Sequence, residues 1–519
     1  MPSPAATLLP DACYLALKAR DARFDGRFFT GVTSTGIYCR PVCRVRTPKR
    51  ENCRFFGHAA QAESAGFRPC LRCRPELAPH SVTWSIQEAS YILAHQAARL
   101  LDDPLGWARE SSSVESLASR LGVSDRHVRR IFEAQFGVSP VQYLQTRRLL
   151  TAKQLLADTQ LPVTQVALIS GFASVRRFNA AFLEHYGLNP TALRRAGAAR
   201  PGEEGIVVRL GYRPPYDALA ILDFLHKRAM AGIEHVDAQQ LSMARTWSPD
   251  ASVPLSIGSS VDSPRKHASG WLHAQFDPDH HQVALRVSDS LREVLPLVIH
   301  RVRAMLDLDA DPQAINAQLH ASFPAGDGLR VPGTVSGYEL AVRAVLGQQI
   351  TVAAARTLAQ RLVEKFGTPI ETPFAALTRL FPEPTVLAQA SGDALGQLGI
   401  VKQRQAAIVA ISQAVADGRI QLHGGADVQA TVAALKELPG IGDWTAQYIA
   451  MRALRWPDAF PAGDIALQKS LGVLDAPNRA RAAEAASLGW KPWRSYAVIR
   501  AWATLSTPFS SPPSPESTT

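Results

Sequence analysis

The run Leu435-Lys-Glu-Leu-Pro439-Gly440-Ile-Gly442-Asp-Trp444-Thr-Ala-Gln-Tyr448, followed by an apolar helical stretch and then Phe460-Pro-Ala-Gly-Asp464, decides the architecture of this 519-residue chain. Pro439, Gly440 and Gly442 do not belong in a helix interior, yet helical patterns flank them on both sides. The spacing predicts a helix, a tight glycine turn and a second helix. Gly440 and Gly442 let the backbone approach a ligand closely, and the second helix offers unpaired N–H groups at its start. Such a turn grips an anion, and on a phosphodiester backbone it holds without reading sequence. Asp464 follows Gly442 by twenty-two residues, in a Gly-Asp break before the next helix. A carboxylate just beyond a phosphate clamp points to a reaction at the nucleotide. Taken alone, Leu-Pro-Gly-Ile-Gly is equally a plain joint between two helices, so its context must discriminate.

The context is basic at the front. The net charge is +11, with 27 Lys and Arg against 15 Asp and Glu in residues 1–200, and 29 against 30 in residues 201–519. An excess confined to the first two-fifths is the footprint of nucleic-acid binding. The chain is too long for a single core and reads as several domains. No apolar run of about 18 residues is present for a membrane span. The opening Met-Pro-Ser-Pro-Ala-Ala-Thr-Leu-Leu-Pro lacks the basic segment and long apolar core of a signal peptide. A cytoplasmic protein with no membrane partner is expected.

All six cysteines precede residue 74. Cys39-x3-Cys43 and Cys70-x2-Cys73 form two close pairs separated by 26 residues, a donor set suited to one tetrahedral zinc. In a reducing compartment metal is the expected use of such a cluster. Cys13 and Cys53 lack a partner spacing and are read as buried or incidental. By spacing alone, the site is equally a ribbon that only folds the domain.

Residues 81–196 contain a repeat. Val114-x2-Leu117-Ala118-x3-Gly122 recurs as Val163-x2-Val166-Ala167-x3-Gly171, and Phe136-Gly-Val-Ser-Pro140 recurs as Tyr186-Gly-Leu-Asn-Pro190. Each copy reads as helix, glycine turn, helix. Ser124 and Ser174 are natural caps for the second helices, which carry Arg126, Arg129 and Arg130 in one copy and Arg176 and Arg177 in the other. Two such helices on one frame suit successive major grooves about 34 Å apart; a helical bundle that binds protein is the alternative.

Three resemblances attach to these motifs. Thr35-Gly-Ile-Tyr-Cys39-Arg-Pro-Val-Cys43-Arg44, Arg50-Glu-Asn-Cys-Arg-Phe-Phe56 and Ala65-Gly-Phe-Arg-Pro-Cys70-Leu-Arg-Cys73-Arg-Pro75 resemble the N-terminal domain of Ada-type proteins. That resemblance implies that Cys39 takes a methyl group from a DNA phosphotriester while Cys39, Cys43, Cys70 and Cys73 hold zinc. Methylating one sulfur changes a zinc centre with four thiolates from −2 to −1. At about 6 Å from a phosphate and an effective dielectric of about 20, that is worth on the order of 3 kcal/mol before screening. Arg44, Arg46, Arg68 and Arg72 are the candidate phosphate contacts. The repeat resembles AraC-type regulators, which implies promoter DNA and RNA polymerase as partners.

The hairpin, with Tyr212-Arg-Pro-Pro-Tyr-Asp217 and Lys491-Pro-Trp-Arg-Ser-Tyr-Ala497 up to Trp502, resembles helix-hairpin-helix DNA glycosylases of the AlkA type, over about residues 206–505. The resemblance implies release of alkylated bases of the 3-methyladenine type. Asp464 would support an oxocarbenium-like sugar or activate water. Trp444, Tyr448 and Trp502 would offer electron-rich faces to a cationic base. Gln349 or Ile350, at a helix break, would fill the gap left by the flipped base. Relatives that also cut the strand carry Lys where this chain has Trp444, so a monofunctional enzyme is expected. No cysteine follows Cys73, so an iron–sulfur cluster is not expected. Nor is O6-methylguanine repair, because the chain has no Pro-Cys-His-Arg motif. A pure transcription factor and a glycosylase for uracil or oxidised bases are the rival readings.

The expected layout is mainly α and multidomain. It comprises a small zinc-bound α+β domain (1–80), a double helix-turn-helix (81–196), a linker (197–205), an α+β domain (206–320), an all-α helix-hairpin-helix domain (321–505) and a disordered tail (506–519). The chain is expected to be a monomer, and its glycosylase half to fold separately.

Overall fold

A computed structural model describes residues 9–80, 89–104, 113–196, 205–249 and 268–505. The opening residues, most of the expected linker 197–205, and the tail 506–519 lie outside the described residues.

The first unit is built on a four-stranded sheet ordered β3-β1-β2-β4, with β1 Phe29–Val32, β2 Ile37–Cys39, β3 Cys53–Phe56 and β4 Arg68–Pro69. The glycine at position 36 takes φ +64° in the turn between β1 and β2. Strand β2 pairs with β4 in parallel, Tyr38 opposite Pro69, so the residues that follow, Cys39 and Cys70, emerge side by side. The Cys70 N–H donates to Tyr38 O at 2.9 Å and fixes that register. Cys13 and Cys53 are both buried, the latter with its thiol on Lys49 O, and neither joins the cluster.

Both helix-turn-helix copies form as the repeat dictates. Val114–Arg120 and Asp125–Phe136 make the first pair, Val163–Ile169 and Val175–Tyr186 the second, and the nineteen-residue helix Pro140–Asp158 joins them. The Ser124 and Ser174 hydroxyls accept from His127 N and Arg177 N, caps worth about 1 kcal/mol each. Gly137 and Gly187 end the second helices in the left-handed conformation, which favours glycine.

The third unit carries an antiparallel five-stranded sheet ordered β5-β9-β8-β7-β6: β5 Ile206–Gly211, β6 Glu234–Asp237, β7 Ser242–Trp247, β8 Gly270–Asp277 and β9 Gln282–Val287. His280 is exposed and His281 half-buried, in the turn between β8 and β9. From Gly337 onward the chain is helical. Ser336 caps Gly337–Leu346 and Thr351 caps Val352–Phe366, leaving the anticipated break between them.

The helix-turn-helix unit and the unit that follows it share an apolar core. One buried cluster runs from Leu149, Leu155, Phe178 and Phe182 of the helix-turn-helix unit into Val208, Leu210, Leu285 and Val298 of the following unit. Sheet and helices each present an apolar face, and each covers the other's. The zinc-domain turn Pro75–Leu77 packs on the long helix: Arg74 pairs with Asp158 at 2.6 Å, and Lys153 with the buried Glu76. Residues 58–68 of the first unit also brace the ends of both recognition helices. His58 packs on Phe136 with ring centroids 5.0 Å apart, and Arg68 donates to Tyr186 O at 3.2 Å. The repeated Phe136-Gly and Tyr186-Gly corners are thus the seats of the zinc domain, leaving the arginine-bearing starts of those helices outward.

Candidate DNA-repair sites

The hairpin is built as read. Helices Val428–Lys436 and Asp443–Arg452 flank a turn in which Gly440 has φ +75°; a Cβ there would press on Ala407 Cβ at 3.2 Å and Gln403 O at 3.3 Å. Gly442 starts the second helix, and a Cβ there would meet nothing within 4 Å, so its backbone faces open space. The turn is tied to the break near residue 349. Gln348 Nε2 donates to Gly440 O and to Thr445 Oγ1, both at 2.9 Å, and Arg404 holds Gln348 O. Gln349 is exposed with φ +55°, whereas Ile350 is half-buried and lines the cavity behind the turn.

That cavity measures about 440 Å³. Trp444, Tyr448, Trp502 and Asp464 all line it, with Arg228, Arg343 and Arg452. Asp464 caps helix Ile465–Ser470 by accepting Leu467 N at 2.7 Å. The same carboxylate accepts the indole N–H of Trp444 at 2.8 Å and of Trp502 at 3.0 Å. Trp444 stacks on Tyr448 at 5.4 Å and 14°, and Trp502 lies 6.3 Å from Tyr448, tilted by 41°. The anionic group therefore orients both outer aromatic walls, and three N–H donors fix its own position.

Cations also line the cavity, a feature absent from the sequence reading. Arg452 donates to the Tyr448 hydroxyl at 2.5 Å and to Pro332 O and Gly333 O. Arg343 pairs with Glu234 and Glu339, which also hold Arg245. Burial pushes the Tyr448 phenol up, but the charges of Arg452, Arg228 and Arg343 outweigh it and hold the phenol below its ordinary range.

In the first unit, the sulfurs of Cys39, Cys43, Cys70 and Cys73 all lie within 4.8 Å of one another. Four Zn–S bonds of about 2.3 Å require sulfur–sulfur separations near 3.8 Å, so the donor set fits tetrahedral zinc. Backbone N–H groups of Val45, Cys73 and Arg40 are directed at the sulfurs of Cys43, Cys70 and Cys73 respectively. The buried Arg40 guanidinium is held by Asp25 and donates to Cys73 O at 2.9 Å. Arg44, Arg46 and Arg72 are exposed, as phosphate contacts must be. Arg68 is exposed as well, and its Nη1 also donates to Tyr186 O at the end of a recognition helix. On those helices Arg126, Arg129, Arg130, Arg176 and Arg177 are exposed, with Arg129 3.8 Å from both Glu115 and Asp125.

Four family models match in succession: the metal binding domain of Ada (residues 12–76), a helix-turn-helix domain (117–196), the AlkA N-terminal domain (207–336) and the HhH-GPD superfamily base excision DNA repair protein (342–495). A Mycobacterium tuberculosis (strain H37Rv) chain, "Probable bifunctional transcriptional activator/DNA repair enzyme AlkA", is 37% identical over 98% of both chains. The protein belongs to this bifunctional activator/repair family. Its two parts also match separately. DNA-3-methyladenine glycosylase 2 of Escherichia coli K12 is 31% identical over 57% of this chain and 96% of its own. The bifunctional activator/repair enzyme AdaA of Bacillus subtilis 168 is 33% identical over 37% of this chain and 85% of its own. Family membership makes the four-cysteine cluster a zinc site and the chain a DNA-binding glycosylase joined to an Ada-type methyl acceptor and regulator. Among the described residues no helix is long and apolar enough to cross a membrane.

Proposed function

We propose that the chain excises alkylated bases of the 3-methyladenine type, accepts methyl groups from DNA phosphotriesters on Cys39, and then activates transcription with RNA polymerase, as a monomer in the cytoplasm. We divide it as 1–80, 81–196, 206–320 and 321–505, each unit carrying one of these tasks or supporting it.

One observation carries the excision reading: a single carboxylate, Asp464, orients two tryptophans of an aromatic cavity behind a hairpin whose backbone faces open space. An N-alkylated base is already cationic and leaves as a neutral molecule, so the enzyme has little bond chemistry to perform. Trp444 and Tyr448 take the cation on their faces. Asp464 stands as a preorganised negative charge where the sugar develops positive charge. The hairpin and Arg44, Arg46, Arg72 and the recognition-helix arginines hold DNA backbones, while Gln349 and Ile350 sit at the mouth, where an extruded nucleotide leaves its gap.

Cys39, Cys43, Cys70 and Cys73 would hold zinc, which would keep their thiolates deprotonated at neutral pH. The Cys39 sulfur attacks the methyl carbon, an S–C bond forms, and the C–O bond breaks with its electron pair remaining on the phosphodiester oxygen. The test is to incubate the full chain with methylated DNA. Released 3-methyladenine and a single methyl on the Cys39 peptide by mass are expected, with promoter affinity raised after transfer; a methyl on another cysteine, or no base release, overturns the corresponding half.

A further inference from the structure

A second cavity, of about 180 Å³, lies where the regulator meets the glycosylase half. Helix Ala89–Asp102 lines it with Arg99, and Phe136 and Tyr143 of the first helix-turn-helix copy and the joining helix add aromatic wall. Gly424, Gly425 and Trp456 of the all-helical unit line it from the other half. The seam is close there: a Cβ on Gly425 would meet Leu100 Cδ2 at 3.5 Å. Arg301, on helix Leu295–Met305, also lines this cavity and is only 9% exposed.

Among the described residues, Arg301 has no hydrogen bond and no carboxylate within ion-pair distance. The carboxylates of the cavity are spoken for by other groups. Asp102 pairs with Arg147 at 2.7 Å, Asp311 with Arg27 at 3.3 Å, Asp307 with Arg455 and Asp309 with Arg303. Asp103 lies 4.0 Å from His423 Nδ1 and makes no ion pair with Arg301. The imidazoles near Arg301 offer it no negative charge. Burial holds His300 below its ordinary range and His423 at about 4, the latter helped by the charge of Arg301 itself. His423 Nδ1 is already the acceptor for the Gly425 N–H at 3.1 Å. Burial also draws Arg99 down to about 10, against the pull of Asp102. A desolvated guanidinium facing a cavity without a counter-ion is costly unless a ligand brings negative charge. A guanidinium fork matches the paired oxygens of a phosphate or carboxylate. The volume, close to the roughly 150 Å³ of a cavity that accepts benzene, admits a small molecule and not a nucleic-acid strand.

We propose that this cavity binds a small free oxyanion, with Arg301 as its principal anchor and Arg99 contributing from the regulator's side, so that the ligand ties the regulator to the glycosylase half. Inorganic phosphate and a carboxylate with a small apolar body share that chemistry, and the test has an arm for each. Thermal melting of the full chain is followed while sodium phosphate or sodium benzoate replaces sodium chloride at constant ionic strength, for wild type, Arg301→Met and Arg301→Lys. In the wild type at least one anion should raise the melting temperature saturably, by about 2 °C or more, and slow amide exchange at residues 99–103 and 423–425. Phosphate alone giving the response assigns the inorganic ligand; benzoate alone assigns a carboxylate whose ring uses Phe136, Tyr143 and Trp456. Arg301→Met should need about tenfold or more anion for the same rise, with Arg301→Lys between, because lysine keeps the charge and loses the fork. Without added anion, Arg301→Met should melt at or above the wild-type temperature, since it removes a buried charge that has no partner. No saturable response to either anion in the wild type, or the same response in wild type and Arg301→Met, overturns the site. Melting of anion-free Arg301→Met well below wild type shows that the guanidinium is already compensated within the protein, and overturns it too.

Discussion

Asp464 and Trp444 are joined by a hydrogen bond of 2.8 Å from indole Nε1–H to carboxylate Oδ2, so the charge and the aromatic wall are one mechanical unit. Asp464→Asn keeps one oxygen for the cap to Leu467 but sets an amide N–H₂ against an indole N–H, two donors face to face. The variant therefore loses both the charge and one wall's anchor. Base release is expected to fall by at least about 10²-fold, while affinity for undamaged DNA, which the hairpin and arginines supply, stays at the wild-type value at two salt concentrations. Release at the wild-type rate would remove Asp464 from the mechanism.

Trp444 occupies the position where strand-cutting relatives carry a lysine, and its only polar hydrogen is committed to Asp464. No amine stands there to form a Schiff base with the sugar. Borohydride added during turnover should trap no covalent enzyme–DNA adduct, and the product strand should remain intact until treated with alkali. A trapped adduct would require a second nucleophile in the cavity.

What the sequence disclosed and what it hid divide along a physical line. Pro439-Gly440-Ile-Gly442, the cysteine pairs and the serine caps each act through neighbours close in the chain, so their spacing is their structure. Asp464 was legible as a break residue, but its grip on Trp444 and Trp502, twenty and thirty-eight positions away, was not. Arg228 and Arg452 gain their meaning only from the Tyr448 oxygen, which no local pattern places beside them. Arg68 adds a contact that its arginine-rich motif does not announce: folding brings its Nη1 to Tyr186 O. Strand β6 is four residues of half-buried to exposed Glu-His-Val-Asp, whose pairing with β7 is decided by tertiary context rather than by alternation.

Glu63 ties the zinc domain to the regulator. Its carboxyl accepts the Tyr38 hydroxyl at 2.9 Å and the Thr146 hydroxyl at 2.8 Å, and His185 stands 3.5 Å away. Burial lifts Glu63 to about 7, against the opposing pull of Thr146, Tyr38 and Lys153. Since the folded value lies above the unfolded one, the protonated carboxyl contributes stability that is complete below about pH 4.5 and is lost as pH climbs through 7. Inside that window the slope is up to about 1.4 kcal/mol per pH unit. Glu63→Gln mimics the protonated acid, so its melting temperature relative to wild type should rise steadily from pH 5 to pH 8. A pH-independent difference between the two proteins would show that Glu63 does not titrate at the interface.

Arg213 is the residue on which the halves converge. It is wholly buried just beyond β5 and donates to five backbone carbonyls: Asp25 O at 2.7 Å in the zinc domain, Pro79 O at 3.0 Å and His80 O at 2.9 Å at that domain's end, and Asp309 O at 2.9 Å and Ala310 O at 3.0 Å in the glycosylase half. Five acceptors from three segments are thus satisfied by one side chain. Arg213→Met fills much of the same volume but orphans all five, at about 1–3 kcal/mol for each that water cannot reach. The chain will open locally before bearing that cost in full, so a loss of about 3–5 kcal/mol is expected, appearing as faster amide exchange around residues 25–27, 79–80 and 309–310. Asp25 also holds Arg40, which lies beside Cys39 and donates its backbone N–H to Cys73, so the disturbance should reach the cysteine cluster. Zinc extraction by a chelator should therefore be faster in Arg213→Met than in wild type, although the substitution lies far along the chain from every cysteine. Wild-type exchange at the three segments, with wild-type zinc retention, would mean that the two halves are held together elsewhere, by contacts such as the shared apolar core between Leu149 and Val298 and the Arg27–Asp311 pair.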